Sequence, residues 1–437
     1  MDENGDAGLR LAAPGEDHSG LGSVPKRSPS VVARESSKNE KGSGRRIGSL
    51  RRRGGATAKL DTFSGVFVPT SLNVLSILMF IRFGFILGQS GIVGMLVMLV
   101  AAYLINLVTT MSISAIASNG TVRGGGAYYL ISRSLGPEFG GSIGVISYLG
   151  FVFNTGMNAV GLIDCLVYNF GSISGNWSNT LPEDAWWQYL WSSLVVVVCV
   201  AICLAGSAIF ARASNGLLLV LLIATFSIPL SSVVMGPFEE TKQFTQFTGL
   251  SIQTLKENLL PHFTRGAAGS QLREKENYQD LFGILFPATG GILAGASMSG
   301  DLKNPSKSIP RGTLAGLALT FASYTLVIVA MGASITRESF YKNVNVVQDT
   351  NLSGILILAG EIATTFFSVL MGIIGPAKQL QAIARDDIIP GLSIFGQGTE
   401  KNDEPIYAIL CTFVVAQLTL LLDINRIASL ITMTYLM

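Results

Sequence analysis

Long apolar stretches separated by polar connections run through most of this chain. We number them segments one to ten, and they lie near residues 63–88, 92–118, 142–170, 187–205, 207–236, 280–299, 312–334, 352–374, 405–422 and 424–437. An α-helix needs about 20 apolar residues to cross a bilayer. The pattern therefore predicts an all-α membrane protein, and the tenth segment is expected to be truncated where the sequence stops.

Segment six is interrupted where a membrane helix should run unbroken. It contains Pro287, Gly290 and Gly291, and proline removes a backbone donor while paired glycines weaken a helix. A discontinuous helix at membrane depth can offer carbonyls to a cation and an N-terminus to an anion. The other interpretation is a kink satisfied by a neighbouring helix, since Gly and Pro are common in membrane helices. This stretch alone does not decide between the two.

Segment one carries a matching interruption. It contains Pro69 and, at mid-depth, the polar residues Ser71, Asn73 and Ser76. Asn and Ser side chains compete for backbone hydrogen bonds and favour local unwinding. Paired breaks in two halves of a chain are typical of an inverted repeat whose binding site lies at the midplane. The pairing favours a site over a plain helix interface and predicts two five-helix repeats.

The composition supports a membrane protein and argues against other classes. Only 13% of the residues are charged, where a soluble protein has about 25%, and the mean hydropathy is +0.48. The four cysteines lie in apolar segments and the two histidines lie outside them, so neither a disulfide framework nor a zinc site is expected. We find no nucleophile–base pair or phosphate loop, and therefore expect no enzyme and no cofactor. The net charge of +2 gives no indication of nucleic-acid binding.

The polar connections predict a topology. Residues 1–60 are polar and end in an arginine cluster, which is typical of a disordered tail on the cytoplasmic side. The loop 171–186 on the opposite side has no Lys or Arg and holds a sequon at Asn176, and a second sequon on that side begins at Asn351. Both asparagines are candidate glycosylation sites. Residues 61–437 are expected to form the membrane domain.

Several long motifs resemble those of the cation-chloride cotransporters, a family of the amino acid-polyamine-organocation superfamily. They are GGGAYYLISRSLGPEFGG at 124–141, ILAGASMSGDL at 292–302, IPRGT at 309–313 and QAIARD at 381–386. The resemblance covers residues 60–437 and points most to the fungal vacuolar branch. It implies the LeuT-like fold, an inverted five-helix repeat with broken helices 1 and 6. Family members have twelve helices and a large C-terminal domain, so the sequence is expected to hold helices 1–9 and part of 10.

The resemblance implies a potassium site between the two breaks. Family members use carbonyls of segment one, a proline and a threonine of segment six, and a tyrosine of segment three. The corresponding positions here are Asn73, Val74, Asn158, Pro287, Thr289 and Gly290. Gly290 stands at the threonine position with Thr289 one place earlier, and Asn158 stands at the tyrosine position.

Two chloride sites are implied in the same way. One uses amides that match Ser76, Ile77 and Leu78, and the other uses amides that match Gly291, Ile292 and Leu293. Free N–H groups at the positive end of a helix dipole suit a desolvated halide. Ser76 stands where glycine is usual, and the tyrosine that closes the second site is expected just beyond Met437.

The sodium site of sodium-using members is expected to be degraded. Its positions here are Leu75, Thr364, Phe367 and Ser368. Phe367 replaces one of two adjacent serines, and Leu75 replaces a tryptophan. Because a phenyl ring offers no oxygen to a hard cation, we expect no sodium coupling.

Three charged residues lie in or near the ends of apolar segments, where a central charge costs about 2.5–3.5 kcal/mol on insertion scales. Arg82 and Asp164 match family positions and are interpreted as packing or ion-pair residues. Glu361 has no obvious family counterpart. It is either a proton-linked group or an interfacial residue, and the second interpretation is favoured.

The leading hypothesis is a secondary active transporter that carries out electroneutral potassium–chloride symport. Its expected partners are potassium and chloride ions and the lipid bilayer, with a homodimer in the full-length form and no nucleic acid. The N-terminus is expected in the cytoplasm, and the vacuolar membrane is favoured over the plasma membrane. Two alternatives stay open: a polyamine or amino-acid carrier on the same fold, and a non-transporting regulatory subunit of a cotransporter.

Overall fold

The computed structural model describes residues 59–119, 125–173, 175–205, 207–240, 243–270, 274–387, 391–399 and 403–437. The chain divides into two units, Met1–Ala56 and Thr57–Met437. All described elements belong to the second unit. The predicted tail lies outside the described residues except at positions 59 and 60.

The helices and one small hairpin make up the regular secondary structure of the described residues. The helices are α1 Val68–Val74, α2 Leu78–Ile81, α3 Phe83–Ser118, α4 Gly126–Leu135, α5 Pro137–Phe170, α6 Ala185–Ala205, α7 Ser207–Val234, α8 Ile252–Glu257, α9 Tyr278–Thr289, α10 Leu293–Ser297, α11 Pro305–Ser334, α12 Arg337–Lys342, α13 Val346–Asp349, α14 Gly354–Arg385, α15 Ile406–Thr419 and α16 Ile424–Leu436. The strands β1 Phe238–Glu240 and β2 Thr245–Phe247 pair antiparallel. A π-helical turn, Phe63–Phe67, leads into α1.

Helices occupy all ten predicted segments. Segments one and two meet inside α3, which kinks at Gly91 with φ +66°. A Cβ on Gly91 would lie 2.6 Å from the carbonyl of Leu260, so the chain can pass this loop only with glycine there. The amide of Ile92 then donates to the carbonyl of Asn258 at 2.9 Å.

Seven helical stretches among the described residues are long and apolar enough to cross a membrane by length and composition. The other three predicted segments are shorter. Segment six is divided into α9 and α10, while α15 and α16 have 14 and 13 residues. The seven long stretches agree with a multi-pass membrane protein.

The core forms where α14 packs against α5 and α7, and α11 packs against α3. Small residues allow the close approach of these helices. A Cβ on Gly372 of α14 would lie 2.0 Å from the hydroxyl of Thr155 on α5, which is the close packing that small residues provide between membrane helices. These contacts surround the interrupted helices of segments one and six.

Two expectations from the sequence are wrong for the folded chain. Asn351 is only 7% exposed, and its amide nitrogen donates to Ser227 Oγ at 2.8 Å, whereas a glycosylated asparagine lies at the surface. Asn176 is exposed, so its glycosylation stays a prediction. Glu361 is 2% exposed and lies inside α14, which contradicts the interfacial interpretation.

Candidate functional site at the two helix breaks

The interruption of segment six lies at residues 290–292, which we call break six. α9 ends at Thr289 and α10 begins at Leu293, with Gly291 at φ +93° between them. A Cβ on Gly291 would be 3.0 Å from the Cβ of Asn73 and 3.1 Å from its carbonyl oxygen. Glycine is therefore required both by the backbone conformation and by the close approach to segment one. Pro287 lies inside α9, so the helix breaks three residues later than the proline.

Two of the three amides of break six have no acceptor in the described part of the chain. Gly290 N donates to the carbonyl of Pro287 at 3.1 Å, but no hydrogen bond there uses the N–H groups of Gly291 or Ile292. These groups precede α10, where helix N-termini leave donors unsatisfied and carry a partial positive charge. Break six can therefore receive an anion.

The interruption of segment one lies at residues 75–77, which we call break one. α1 ends at Val74, and Ser76 N donates to the carbonyl of Val74 at 2.7 Å. Leu78 N donates to the side-chain oxygen of Ser76 at 3.2 Å. Of the three predicted chloride-binding amides of segment one, two thus have acceptors inside the chain. Ile77 N has none among the described residues.

A tyrosine of α11 joins the two breaks. The hydroxyl of Tyr324 donates to the carbonyls of Val74 at 2.5 Å and Ala288 at 2.8 Å, and it accepts from Ser76 N at 3.3 Å. A hydroxyl has one proton, so the two carbonyls share it. The sequence reasoning missed Tyr324. The available signal was a tyrosine in the middle of an apolar segment, because a buried tyrosine hydroxyl usually has a partner.

The carbonyls at the end of α1 can be accounted for one by one. Thr364 Oγ1 of α14 donates to the carbonyls of Leu75 at 2.6 Å and Leu72 at 3.2 Å. Tyr324 takes Val74. The carbonyl of Asn73 has no donor in the described part of the chain, and neither does Asn73 Oδ1. Asn73 thus has two oxygens without a donor among the described residues, and its backbone carbonyl lies close to Gly291 of break six.

The predicted potassium residues are only partly brought together. Asn158 Nδ2 donates to the carbonyl of Asn154 at 2.8 Å, which leaves the buried Asn158 Oδ1 without a partner among the described residues. The hydroxyl of Thr289 instead donates to the carbonyl of Phe286 at 2.8 Å and accepts from Asn106 Nδ2 at 3.0 Å. Unsatisfied buried acceptors are rare in proteins and call for an explanation, and a bound cation is one.

Of the predicted sodium positions, Leu75 lies in break one and Thr364 of α14 contacts it, while Phe367 and Ser368 follow within about one turn of α14. Phe367 and Ser368 are fully buried on α14, and Ser368 Oγ has no hydrogen-bond partner among the described residues. Thr364 lies one turn earlier and contacts the carbonyl of Leu75. The Thr364 hydroxyl is thus hydrogen-bonded to break one, whereas the Ser368 hydroxyl has no hydrogen-bond partner among the described residues.

A tyrosine of segment ten reaches break six. A Cβ on Gly290 would lie 2.9 Å from the ring of Tyr435 on α16. The expectation that the closing tyrosine falls beyond Met437 is therefore wrong in that a tyrosine within the chain already contacts this break.

Farther along segment one, Arg82 borders two cavities of about 340 and 300 Å³ that Asp164 also lines. Arg82 Nε donates to Asn425 Oδ1 of α16 at 2.9 Å, and Asn425 Nδ2 donates to the carbonyl of Gly269. Arg82 is therefore a packing residue that ties segment one to segment ten.

Comparison with known proteins agrees with this architecture. Residues 65–436 match the amino acid permease family. The fold is similar to that of a Na⁺-coupled sialic acid symporter solved in a substrate-bound outward-open state, with a TM-score of 0.51 and 11% identity over 85% of this chain and 72% of that one. The predicted LeuT-like fold, an inverted five-helix repeat with broken helices 1 and 6, is confirmed.

The chain is also similar to cation-chloride cotransporters. It is 53% identical over 384 residues to vacuolar cation-chloride cotransporter 1 of Saccharomyces cerevisiae, a match that covers 87% of this chain and 34% of that protein. It is 35% identical over 404 residues to human solute carrier family 12 member 9, covering 88% and 43%. The chain thus spans less than half the length of these relatives. The family and the relatives are transporters and not enzymes, and this chain belongs to the amino acid permease family, as its resemblance to the cation-chloride cotransporters predicted.

Proposed function

We propose that this chain is the transport domain of an electroneutral potassium–chloride symporter that works without sodium. The proposal rests on one observation: free N–H donors and free oxygen acceptors lie close together at break six. The free amides of Gly291 and Ile292 lie beside Asn73, whose two oxygens have no donor among the described residues. Free donors call for an anion and free acceptors for a cation, so a pair of opposite ions satisfies both.

Chloride binds, in this proposal, at the N-terminus of α10. The amides of Gly291, Ile292 and Leu293 supply the donors, and Tyr435 lies against Gly290 at the same break. The amides of Ser76 and Leu78 already have acceptors in the chain, so we propose one chloride site rather than two.

Potassium binds beside it, held by the carbonyl and side-chain oxygens of Asn73 and by Asn158 Oδ1. The C-terminal end of α1 adds a partial negative charge to these oxygens. The carbonyls of Val74 and Pro287 complete the set when Tyr324 and Gly290 release them. One cation and one anion per cycle move no net charge.

A polyamine or amino-acid carrier is the main alternative. The two breaks lie within van der Waals contact, since even a Cβ on Gly291 would lie 3.0 Å from Asn73. This close approach suits monatomic ions better than an amino acid. A non-transporting regulatory subunit is the remaining alternative, and it predicts no flux at all.

The membrane and the assembly are further parts of the proposal. The similarity to a vacuolar relative supports a vacuolar membrane, with the N-terminus and the residue 1–60 tail in the cytoplasm. Residues 61–437 act as the transporter domain, and a homodimer is proposed for the full-length form.

Flux in liposomes tests this function. The protein is reconstituted with defined salts on each side, and uptake of ⁸⁶Rb⁺ is measured with chloride or with gluconate as the anion. We expect uptake that requires chloride, that does not change when sodium is replaced by choline, and that is unaffected by clamping the membrane potential. Uptake that is independent of chloride would rule out symport.

A further inference from the structure

The hydroxyl of Thr364 occupies an unusual position at break one. It lies 2.6 Å from the carbonyl oxygen of Leu75 and 3.2 Å from that of Leu72, and all three residues are fully buried. Two backbone carbonyls from the end of a broken helix thus converge on one oxygen atom of a different helix.

These carbonyls need a positive partner. The last carbonyls of a helix have no intrahelical donor and carry the negative end of its dipole. In a dry interior an unsatisfied carbonyl is costly. A cation can meet this need, and so can a single hydroxyl proton shared between both oxygens. In this chain Thr364 meets it.

Two further hydroxyls of α14 are unused, and one of them lies on the same face as Thr364. Ser368 is four residues after Thr364 and therefore lies on the same face of α14. Ser368 Oγ and Thr365 Oγ1 are fully buried, and neither has a hydrogen-bond partner among the described residues. Hard cations take oxygen ligands of this kind. The surroundings thus keep oxygens suited to a cation, while Thr364 holds the carbonyls that a cation would bind.

We propose that the Thr364 hydroxyl is a built-in replacement for a small alkali cation at the Leu72 and Leu75 carbonyls, and that this residue sets the independence from sodium. The inference rests on the proposed function and deepens its sodium-free part. Phe367 removes one ligand, but Thr364 removes the need for the ion. Sodium independence is then a property of a hydrogen bond and not only of a missing serine.

Four variants separate these contributions. Thr364→Ala removes the hydroxyl and leaves room, whereas Thr364→Ser is the matched control that keeps the hydroxyl. Phe367→Ser restores a ligand while Thr364 stays in place. The double variant Thr364→Ala with Phe367→Ser both frees the carbonyls and adds the oxygen.

The first measurement is the melting temperature of the purified protein in sodium chloride and in choline chloride, with lithium and potassium chloride for comparison. We expect sodium to raise the Tm of Thr364→Ala by at least about 2 °C, and that of the double variant by more, because a bound ion stabilises the folded state. The wild type, Thr364→Ser and Phe367→Ser should not respond.

The second measurement is ⁸⁶Rb⁺ uptake with and without sodium. Sodium should stimulate uptake by the double variant about fivefold and leave the wild type unchanged. The melting assay does not need transport. If the wild type fails to couple Rb⁺ to chloride, the proposed function fails while the proposal for Thr364 is still tested.

Three results would overturn the inference. The first is a folded Thr364→Ala protein with no sodium-specific rise in Tm. The second is a rise in Thr364→Ser equal to that in Thr364→Ala. The third is a sodium response in Phe367→Ser alone, and this variant decides the question even if Thr364→Ala does not fold.

Discussion

Break one and break six have the same origin but opposite chemistry. At break one, hydroxyls of the chain bind several of the freed backbone groups: Ser76 Oγ accepts from Leu78 N, and Thr364 donates to Leu72 and Leu75. In break six the amides of Gly291 and Ile292 have no such partner among the described residues. A pair of broken helices therefore does not imply two equal ion sites.

The side chains at the two breaks explain the difference. Break one contains Ser76, whose hydroxyl can cap the helix that resumes after it, as serine does at helix N-termini. Break six begins with Gly290 and Gly291, which have no side chain for this purpose. The glycine pair leaves backbone N–H donors without an acceptor among the described residues, whereas the serine hydroxyl accepts a hydrogen bond from one such donor at break one.

The largest expected effect on transport comes from adding a side chain at Gly291 in break six. Gly291→Ala places a Cβ 3.0 Å from Asn73 on a backbone at φ +93°, and such a conformation costs about 1–3 kcal/mol for other residues. We expect chloride-dependent ⁸⁶Rb⁺ uptake to fall at least about tenfold.

The matched control for that variant is Gly283→Ala on α9, where a Cβ would meet no atom closer than 4.0 Å. Its uptake should equal that of the wild type. Retention of full uptake by Gly291→Ala would show that break six is not the site.

The next largest effect on transport is expected from removing the hydroxyl that links the two breaks. Tyr324→Phe removes the hydroxyl that holds Val74 and Ala288, and each buried group left without a partner costs about 1–3 kcal/mol. We expect a lower melting temperature together with a several-fold loss of uptake. Tyr103→Phe is the control, because among the described residues the Tyr103 hydroxyl has a hydrogen bond to Thr320 and none to either break. This variant should change the stability without changing the apparent affinity for either ion.

A smaller effect of opposite sign is expected at break one. Ser76→Gly frees the amide of Leu78 from its internal acceptor, and a net hydrogen bond is worth about 0.5–1.5 kcal/mol. An anion can then occupy break one as well. We expect the chloride dependence of uptake to become steeper, with a Hill coefficient above that of the wild type; an unchanged chloride curve would contradict the contrast between the two breaks.

The smallest effect is expected outside both breaks. Arg385 forms two hydrogen bonds with Asp403, which lower the pKa of that carboxyl. A depressed pKa adds stability above the unfolded value of about 3.9, and this stability is lost as pH falls through the folded value. Because both side chains are largely exposed, Asp403→Asn should cost less than about 1 kcal/mol.

Comparing the melting temperatures of Asp403→Asn and the wild type across a range of pH tests this predicted loss of stability. The difference should be present at pH 7 and should vanish at acidic pH, while uptake stays unchanged. A change in uptake would mean that this pair contributes to transport.

The sequence predicted the ten helical segments and both interruptions, because apolar length, proline and paired glycines act locally. It could not predict the partners of the exposed groups. The contacts of Tyr324 with Val74, of Asn106 with Thr289 and of Thr364 with Leu75 span 250, 183 and 289 positions of the chain, and only packing brings these side chains to the breaks. For the same reason the burial of Asn351 and Glu361 was not visible from local pattern.

The proposed function requires that break six holds the anion and that break one does not. Anomalous diffraction from crystals grown in bromide in place of chloride tests it most directly. We predict an anomalous peak against the amides of Gly291 and Ile292, and none at Ser76–Leu78. A peak at Ser76–Leu78, or its absence at Gly291, would contradict the account.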